Sequence, residues 1–350
     1  MILDHLDVPI VLAPLAGGPT TPQLAAAVTG AGGLGFLAAG YLSAAALAGQ
    51  VQQARELTSG PLGVNVFVPG GSAADHGHVT EYAALLAAEA QQAGVELGQP
   101  RFDDDDWDAK LALLTADHLP VTSFTFGCPE PPVINALQAA GSEVWVTVTT
   151  PAEAVLAADA GADVLVAQGS EAGGHRGSFI DDPADDASGG FGLLSLLQLV
   201  RSRTSRPVVA AGGIGTGAAV AAVLASGAAA AQIGTAFLRC PEAGTSQVQR
   251  AAVASAAPTA MTRAFTGRNA RGIRNRFMDG YTAPVAYPEV HYLTAPLRAA
   301  GRRSGDPNLV NLWAGQTHEL SREFPAADLV AELARDARAS LAAASRRLGG

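Results

Sequence analysis

Short runs of β-branched or apolar residues alternate with alanine-rich stretches along the first 240 residues. This alternation is typical of βα units built around a parallel sheet. Eight strands with eight crossovers close into a barrel, so the pattern predicts an α/β fold of the (β/α)8, or TIM-barrel, type. An open, doubly wound sheet remains the alternative. The predicted strands are Ile10–Pro14, Leu34–Ala38, Leu62–Val68, Val121–Phe126, Glu143–Val148, Asp163–Gln168, Pro207–Ala211 and Ala229–Ile233.

Helix-capping residues open several of the alanine-rich stretches. Thr21 and Thr150 each precede a proline, which is favoured at the first helical position. Glu153 lies in the first turn after Thr150, and Ser43 precedes another predicted helix. The acidic run Asp103–Asp106 is interpreted as a solvated stretch that also favours a helix start.

Two segments do not fit the repeat. Residues 69–106 form an insertion after the third strand, and residues 241–350 form a mainly helical C-terminal extension to the barrel of residues 1–240. The extension passes through the Pro- and Tyr-rich segment Tyr281–Pro296 and ends in the Ala/Arg helix Ala326–Leu348. Catalysis in such barrels takes place at the carboxyl ends of the strands. We therefore expect both additions to help cover that face.

Composition and charge argue against several classes of protein. Of the 350 residues 48% are hydrophobic, which is enough for a large core, and the net charge of −10 argues against a nucleic-acid partner. The two long uncharged runs are broken by the glycine clusters Gly30–Gly35 and Gly212–Gly217, so no membrane span is expected. Neither Cys128 nor Cys240 has metal-ligand spacing, so no metal site is predicted. The N-terminus has no signal-peptide pattern, and a cytoplasmic location is expected. Assembly into homo-oligomers stays open.

The strongest candidate chemistry follows the sixth predicted strand. Gln168 is a polar residue at the end of a buried strand, and Gly173 and Gly174 lie in the loop behind it. Glycines let the backbone approach a ligand closely and offer N–H groups to an anion or a ring edge. We expect a side chain at Gly173 to reduce cofactor affinity more than fold stability. His175 lies in the same loop and is a candidate acid or base. A surface histidine in a loop is the alternative.

The loops after the seventh and eighth predicted strands form a second candidate site. Gly212 and Gly213 follow one strand, and Gln232, Ile233, Gly234 and Thr235 end the other. In (β/α)8 barrels these two loops, with a helix N-terminus, often bind a phosphate. Gly213–Ala218 also fits a loose dinucleotide fingerprint, but no acidic residue for the ribose follows at the required distance. A mononucleotide phosphate is therefore predicted, with a tight turn that binds no ligand as the alternative.

Asn65 lies among β-branched residues in the third predicted strand. A buried amide must find a hydrogen-bond partner. Amides of Asn and Gln can pair with the donor and acceptor edge of a flavin pyrimidine ring. A purely structural hydrogen bond is an equal alternative at this position.

With these features the chain resembles the nitronate monooxygenases, formerly called 2-nitropropane dioxygenases. The resemblance implies non-covalently bound FMN, with Asn65, Gln168, Gly173, Gly213 and residues 232–235 at the family's FMN-binding positions and His175 at its catalytic histidine. Ile233 stands where the family often has Met, and both are apolar. The matching segments are Ala13–Gly18, Asn65–Pro69, Gln168–Gly177, Ala211–Ile214, Gln232–Phe237, Phe265–Ile273 and Leu312–Gln316.

The resemblance implies oxidation of a nitronate, such as propionate 3-nitronate, by O2 to a carbonyl compound and nitrite. His175 is expected to act as a base toward a neutral nitroalkane and otherwise as an electrostatic partner of the anion. Two alternatives stay open. One is an FMN-dependent NADH:quinone or enoyl-acyl-carrier reductase on the same barrel, and the other is a barrel that binds a phosphate ligand without redox chemistry.

Overall fold

Eight parallel strands form the centre of the computed structural model, which describes residues 1–71, 76–184 and 189–349. Their order around the sheet is β1-β9-β8-β6-β5-β4-β3-β2. A bridge between Val11 and Leu34 joins β1 to β2, where Leu12 N donates to Leu34 O at 2.9 Å. The predicted (β/α)8 barrel is thus confirmed. The strands are β1 (Ile10–Leu12), β2 (Gly35–Ala38), β3 (Leu62–Phe67), β4 (Val121–Thr125), β5 (Glu143–Val148), β6 (Val164–Gln168), β8 (Val208–Ala211) and β9 (Ala230–Ile233), with the short β7 (Gly174–His175) outside the barrel.

Helices follow the strands around the outside of the barrel. The predicted caps are present: Thr21 Oγ1 accepts from Leu24 N at 3.0 Å, and Thr150 Oγ1 accepts from Glu153 N at 3.1 Å. Ser43 caps the second helix in the same way. The helices are α1 (Pro22–Gly30), α2 (Ala44–Leu57), α3 (His76–Gln92), α4 (Trp107–Asp117), α5 (Pro131–Ala139), α6 (Pro151–Ala160), α7 (Leu193–Arg201), α8 (Gly217–Ala225), α9 (Gln247–Val253), α10 (Arg276–Gly280), α11 (Glu289–Ser304) and α12 (Ala326–Arg347).

Large apolar side chains fill the amino-terminal half of the barrel interior. Phe36 and Trp145 are fully buried there, with ring centroids 5.6 Å apart. Burying one such side chain contributes roughly 1.5–3 kcal/mol. Ile2, Leu3 and Leu6 pack against this cluster from the N-terminal segment. Because this end is closed, open space in the barrel lies toward the carboxyl ends of the strands.

The C-terminal extension pairs with the loop that follows β6. Its strands β10 (Thr259–Thr262) and β11 (Ala270–Ile273) form an antiparallel sheet with β7. In this sheet Ala270 lies opposite His175 and Arg271 opposite Gly174. This part of the extension therefore covers the face on which the predicted site lies.

The final helix, α12, does not cover the carboxyl ends of the strands, although the extension was expected to help cover that face. It packs against α8 and α1 on the outside of the barrel. Leu329, Val330 and Leu333 lie on its buried face. A Cβ at Gly217 of α8 would lie 2.5 Å from Asp336 Cβ, which shows how closely the two helices approach. The helix occupies the position of an eighth barrel helix, because the chain after β9 first crosses the site and then returns. The division of the chain at residue 240 stays a prediction.

The insertion after β3 packs against the extension. Its helix α3 contacts α11, and Tyr82 OH donates to Ala264 O at 2.7 Å. Residues 72–75 of the predicted insertion lie outside the described residues. The two additions thus share a core of their own, separate from the core of the barrel.

The only lysine of the chain is buried beside this insertion. Lys110 is 0% exposed, and its Nζ lies 2.7 Å from Asp105 Oδ2. The other oxygen of Asp105 accepts from Tyr41 N at 2.8 Å. Burial raises the pKa of Asp105, and Lys110 opposes that rise. The interpretation of Asp103–Asp106 as a solvated run is therefore wrong for Asp105, which is part of an ion pair that positions the loop after β2.

Candidate active site

A cavity of about 340 Å³ lies at the carboxyl ends of the barrel strands. This volume falls within the range of roughly 300–1,000 Å³ that is usual for small-molecule sites. The structure brings all the predicted site residues together in its wall. They are Asn65, Gln168, Gly173, Gly174, His175, Gly212, Gly213, Gln232, Ile233, Gly234 and Thr235.

The wall of the cavity is neutral or positively charged. Among the described residues that line it there is no Asp, Glu or Lys, while Arg298 and Arg302 both contribute to it. Aromatic side chains, including Tyr41, Phe126 and Trp313, form much of the remaining wall. Such a wall suits a planar ring system and an anionic group.

Gln168 holds the loop that carries His175. Its Nε2 donates to His175 O at 3.0 Å, and its Oε1 accepts from Gly177 N at 2.9 Å. Arg176 reinforces the same loop by donating to Gly169 O at 2.7 Å. The side chain of Gln168 lines the cavity, but the hydrogen bonds of its amide group run to its own loop.

His175 is fixed by a residue of the extension. Its Nε2 lies 2.8 Å from Thr266 Oγ1, and that hydroxyl donates to Arg268 O at 3.3 Å. A hydroxyl has one hydrogen to donate, so a Thr266 that donates to Arg268 O accepts from His175, which favours the tautomer with the proton on Nε2 and the lone pair on Nδ1. Burial lowers the pKa of His175 to about 3, helped by the positive charges of Arg268 and Arg298. The imidazole is therefore neutral near pH 7.

The glycines after β8 and β9 make close backbone contacts. Gly212 and Gly213 have φ values of 115° and 68°, which L side chains rarely adopt. A Cβ at Gly212 would lie 3.0 Å from Ala172 N, so this turn packs directly on the loop of His175. Thr235 Oγ1 accepts from Gly315 N at 3.0 Å, which connects the β9 loop to the extension.

Asn65 is 3% exposed and makes structural hydrogen bonds. Its Nδ2 donates to Ser123 Oγ at 2.9 Å and to Thr125 Oγ1 at 3.0 Å, both on β4. For the amide nitrogen of Asn65, the alternative of a structural hydrogen bond is therefore the one that the structure shows. Contact with a cofactor stays a prediction, since Asn65 also lines the cavity.

Gly173 packs against the backbone of the C-terminal extension. A Cβ there would lie 2.4 Å from Ala314 C and 2.5 Å from Gly315 N. The absence of a side chain is needed for the contact between the His175 loop and the extension. A glycine was expected at this position because the backbone approaches a ligand, whereas the structure shows that it approaches the extension.

The comparison with known families decides the assignment. The family model "Nitronate monooxygenase" matches residues 2–336. The chain belongs to the nitronate monooxygenase family. A nitronate monooxygenase of Pseudomonas aeruginosa is 40% identical over 341 residues, which covers 94% of this chain and 96% of that protein. The flavin enzymes of this family are oxidoreductases, and the non-redox binding alternative is set aside.

Solved structures show the same relationship. The crystal structure of a nitroalkane oxidase from Streptomyces ansochromogenes has a TM-score of 0.95 and 50% identity, and covers 98% of this chain and 99% of that chain. FabK from Thermotoga maritima is more distant, with a TM-score of 0.74 and 25% identity over 100% of this chain and 97% of that chain. The likeness to the nitronate monooxygenase and to the nitroalkane oxidase is thus stronger than the likeness to FabK.

The cavity of this member of the family fits a flavin. Its wall offers glycine turns for a phosphate and aromatic surfaces for a ring, and none of the described residues that line it carries a carboxylate that would repel an anion. In the part of the chain that the structure describes, no group of three or more His, Cys, Asp or Glu side chains is placed to hold a metal ion. Cys128 and Cys240 are both free. No helix within the described ranges is long and apolar enough to cross a bilayer.

Several residues of the site were not predicted from the sequence. The insertion and the extension are far from the barrel loops along the chain, so only the fold brings them together. Tyr41 and Phe126 have positive φ values of 67° and 77°, a rare conformation for aromatic residues that is often found at functional sites. Part of the signal was present in the Pro- and Tyr-rich segment and in the family match near Trp313. The unpredicted residues of the wall include Tyr41, Phe126, Thr266, His291, Arg298, Arg302 and Trp313.

Proposed function

We propose that this protein is an FMN-dependent nitronate monooxygenase that converts alkyl nitronates and O2 to carbonyl compounds and nitrite. The observation that carries the proposal is a cavity with two arginines and no described acidic residue, next to a neutral histidine. A nitronate is an anion, so a positive wall attracts it. A nitronate has also already lost its α-proton, so its oxidation needs no strong base.

FMN is proposed to bind with its phosphate at the turns of Gly212–Gly213 and Gly234–Thr235. These turns follow adjacent strands, β8 and β9, where barrels of this type commonly bind phosphate. Asn65 and Gln168 would lie beside the ring system of the flavin. The flavin supplies one-electron chemistry between the nitronate and O2 when bound, and the protein orients it and limits side reactions.

The proposed reaction balances without a further reductant. Two nitronates and one O2 give two carbonyl compounds and two nitrite ions. In each nitronate the C–N bond breaks, one oxygen atom from O2 becomes the carbonyl oxygen, and nitrogen leaves with the negative charge. The rings of Phe126, Tyr287 and Trp313 pack around His175, with centroids 5.7, 5.6 and 5.5 Å from that of the imidazole, and would limit access of water to the reacting carbon.

His175 is proposed to receive a proton when a neutral nitroalkane is bound. The tautomer that the contact with Thr266 favours leaves Nδ1 as a proton acceptor. With a pKa of about 3 the imidazole is a weak base, and only the negative charge that develops on a bound substrate would raise its basicity. Nitronates are therefore expected to be much better substrates than neutral nitroalkanes.

An anaerobic experiment tests the proposal. The purified protein should be yellow, and denaturation should release FMN; release of FAD would contradict the mononucleotide assignment. Under anaerobic conditions propionate 3-nitronate should change the flavin absorbance at once, whereas NADH should reduce the flavin slowly. Addition of O2 should then yield nitrite. Rapid reduction by NADH with no nitrite from any nitronate would favour the alternative of an FMN-dependent reductase.

A further inference from the structure

Tyr41 lies in the cavity wall, in a tight turn that follows β2. Leu42 N donates to Ala39 O at 3.1 Å, which closes the turn around Gly40 and Tyr41. Tyr41 is the third residue of this turn and has a φ of 67°, a position at which turns usually have Gly or Asn. Because this conformation is unfavourable for a tyrosine, contacts from elsewhere in the protein must hold it.

Two carboxylates of the insertion bind the backbone of this loop. Asp105 Oδ1 accepts from Tyr41 N at 2.8 Å, although the two residues are 64 positions apart in the chain. Asp106 Oδ2 accepts from Ala44 N at 2.9 Å, where α2 begins. The insertion therefore holds the loop at two main-chain N–H groups, one inside the turn and one behind it.

Lys110 is the counterion of Asp105. Its Nζ lies 2.7 Å from Asp105 Oδ2, and neither of these two atoms has another partner in the described part of the chain. A buried ion pair is a weak source of stability, because the loss of solvation offsets the attraction between the charges. The specific contribution of the carboxylate is therefore its directed hydrogen bond with Tyr41 N.

The ring of Tyr41 connects Asp105 to the reacting end of the site. It stacks on the ring of His291, with centroids 4.2 Å apart and planes 3° apart. Its hydroxyl accepts from the hydroxyl of Tyr287 at 3.0 Å, and the ring of Tyr287 lies 5.6 Å from that of His175. Asp105 is not among the residues that line this cavity, so its influence on the reaction passes through Tyr41.

We propose that Asp105, with Lys110 as its counterion, is a positioning residue of the active site, whose hydrogen bond with Tyr41 N keeps the Tyr41 ring in the wall beside the substrate. Without this bond the turn would relax toward a negative φ, and the ring would leave its contacts with His291 and Tyr287. The substrate would then be held less well, so the loss should appear in KM more than in kcat. This inference rests on the proposed function for the substrate used in its test.

Two double variants separate positioning from stability. Asp105→Asn/Lys110→Met and Asp105→Gly/Lys110→Met both remove the two buried charges. Asparagine keeps an oxygen that can accept from Tyr41 N, whereas glycine does not, and both residues tolerate the φ of 60° at this position. The Gly variant should raise KM for propionate 3-nitronate by roughly 5- to 30-fold, with a much smaller change in kcat. The Asn variant should keep KM near the wild-type value.

Two further variants make the result specific. Asp108→Gly removes an exposed carboxylate from the first turn of α4 and weakens that helix, so it should lower stability without a change in KM. In a Tyr41→Ala background the Asn and Gly double variants should have the same KM, because the ring that Asp105 positions is gone. If the Gly double variant does not fold, Asp105→Ala/Lys110→Met takes its place, since alanine also lacks an acceptor.

Hydrogen exchange gives a second readout that needs no nitronate. In the Gly double variant deuterium uptake should rise in the loop after β2 and also at residues 287–292, which the ring and hydroxyl of Tyr41 contact. The Asn double variant should stay protected in both segments. Equal KM values for the two double variants, or a rise in uptake confined to the loop, would overturn the positioning role of Asp105 and leave the monooxygenase standing. Absence of nitrite from the wild-type protein would refute the monooxygenase, and exchange at residues 287–292 would still decide the role of Asp105.

Discussion

His175 Nε2 lies 2.8 Å from Oγ1 of Thr266, a residue 91 positions further along the chain. The contact joins the loop after β6 to the extension, next to the pairing of β7 with β11. Because Thr266 Oγ1 also donates to Arg268 O at 3.3 Å, the contact favours the His175 tautomer with the proton on Nε2. The extension therefore orients the imidazole of a residue on the barrel and biases its tautomer.

Thr266→Val should lower the turnover of neutral nitroalkanes. The substitution keeps the shape of the side chain but removes the acceptor for Nε2–H, which leaves a buried donor without a partner. Such a loss costs about 1–3 kcal/mol, or roughly 5- to 150-fold if it falls on the reacting state. Steady-state nitrite release measures it. Thr115→Val on the outer helix α4 is the matched control, and an equal effect in both variants would show that Thr266 has only a structural role.

His175→Asn separates proton abstraction from the other roles of this residue. Asparagine retains a hydrogen-bonding group but lacks a basic nitrogen. Turnover of a neutral nitroalkane should fall by about 10²- to 10⁴-fold, whereas oxidation of the corresponding nitronate should fall much less. Rates with preformed nitronate and with nitroalkane, measured side by side, give the comparison. Equal losses on both forms would assign His175 a positioning or electrostatic role.

Gly173→Ala should disturb the packing of the extension before it disturbs any ligand. The new Cβ would lie 2.4 Å from Ala314 C, and overpacking of this kind costs about 1–3 kcal/mol. Gly174→Ala is the control, because a Cβ there meets nothing within 4 Å and only the positive φ of 75° is unfavourable. Thermal unfolding with and without FMN measures both effects. An unchanged unfolding temperature with greatly weakened FMN binding would restore the original interpretation of Gly173 as a ligand contact.

The barrel and its loops were predictable because the signals are local. Apolar runs that alternate with alanine-rich stretches, capping residues such as Thr150 and glycine clusters at strand ends are all recognised within a few residues. They placed the predicted site residues at the carboxyl ends of the strands, and the structure brings them together in one cavity. The resemblance to the family supplied the expected roles.

The remaining wall of the site could not be predicted because it depends on long-range packing. Thr266 and Arg298 carry no local signal of function, and α12 looks like any amphipathic surface helix until its contacts with α8 are known. The ion pair of Lys110 with Asp105 was missed for the same reason, since a charged run is usually solvated.

The free energy of unfolding should fall as the pH falls, and part of this decrease should come from His175. Its pKa is about 3 in the folded protein and near 6.5 when unfolded. Below pH 6.5 the unfolded chain therefore binds a proton that the folded protein does not, and the free energy of unfolding falls by up to about 1.4 kcal/mol per pH unit. The contribution is complete above pH 6.5 and is lost progressively toward pH 3.

Urea unfolding between pH 7 and pH 4 measures this slope. Other groups titrate in the same range, so the test is the difference between wild type and His175→Asn. The wild-type curve should be steeper. Parallel curves would show that His175 titrates alike in the folded and unfolded states.

The burial of Lys110 has a practical consequence for labelling experiments. Acylating reagents and amine-reactive cross-linkers find no lysine on the folded surface, because the chain has one lysine and its side chain is 0% exposed. Modification of Lys110 must wait until α4 separates from the loop that carries Asp105. The rate at which Lys110 is acylated would therefore report local opening beside the active site, and mass spectrometry separates this reaction from acylation of the α-amino group of Met1.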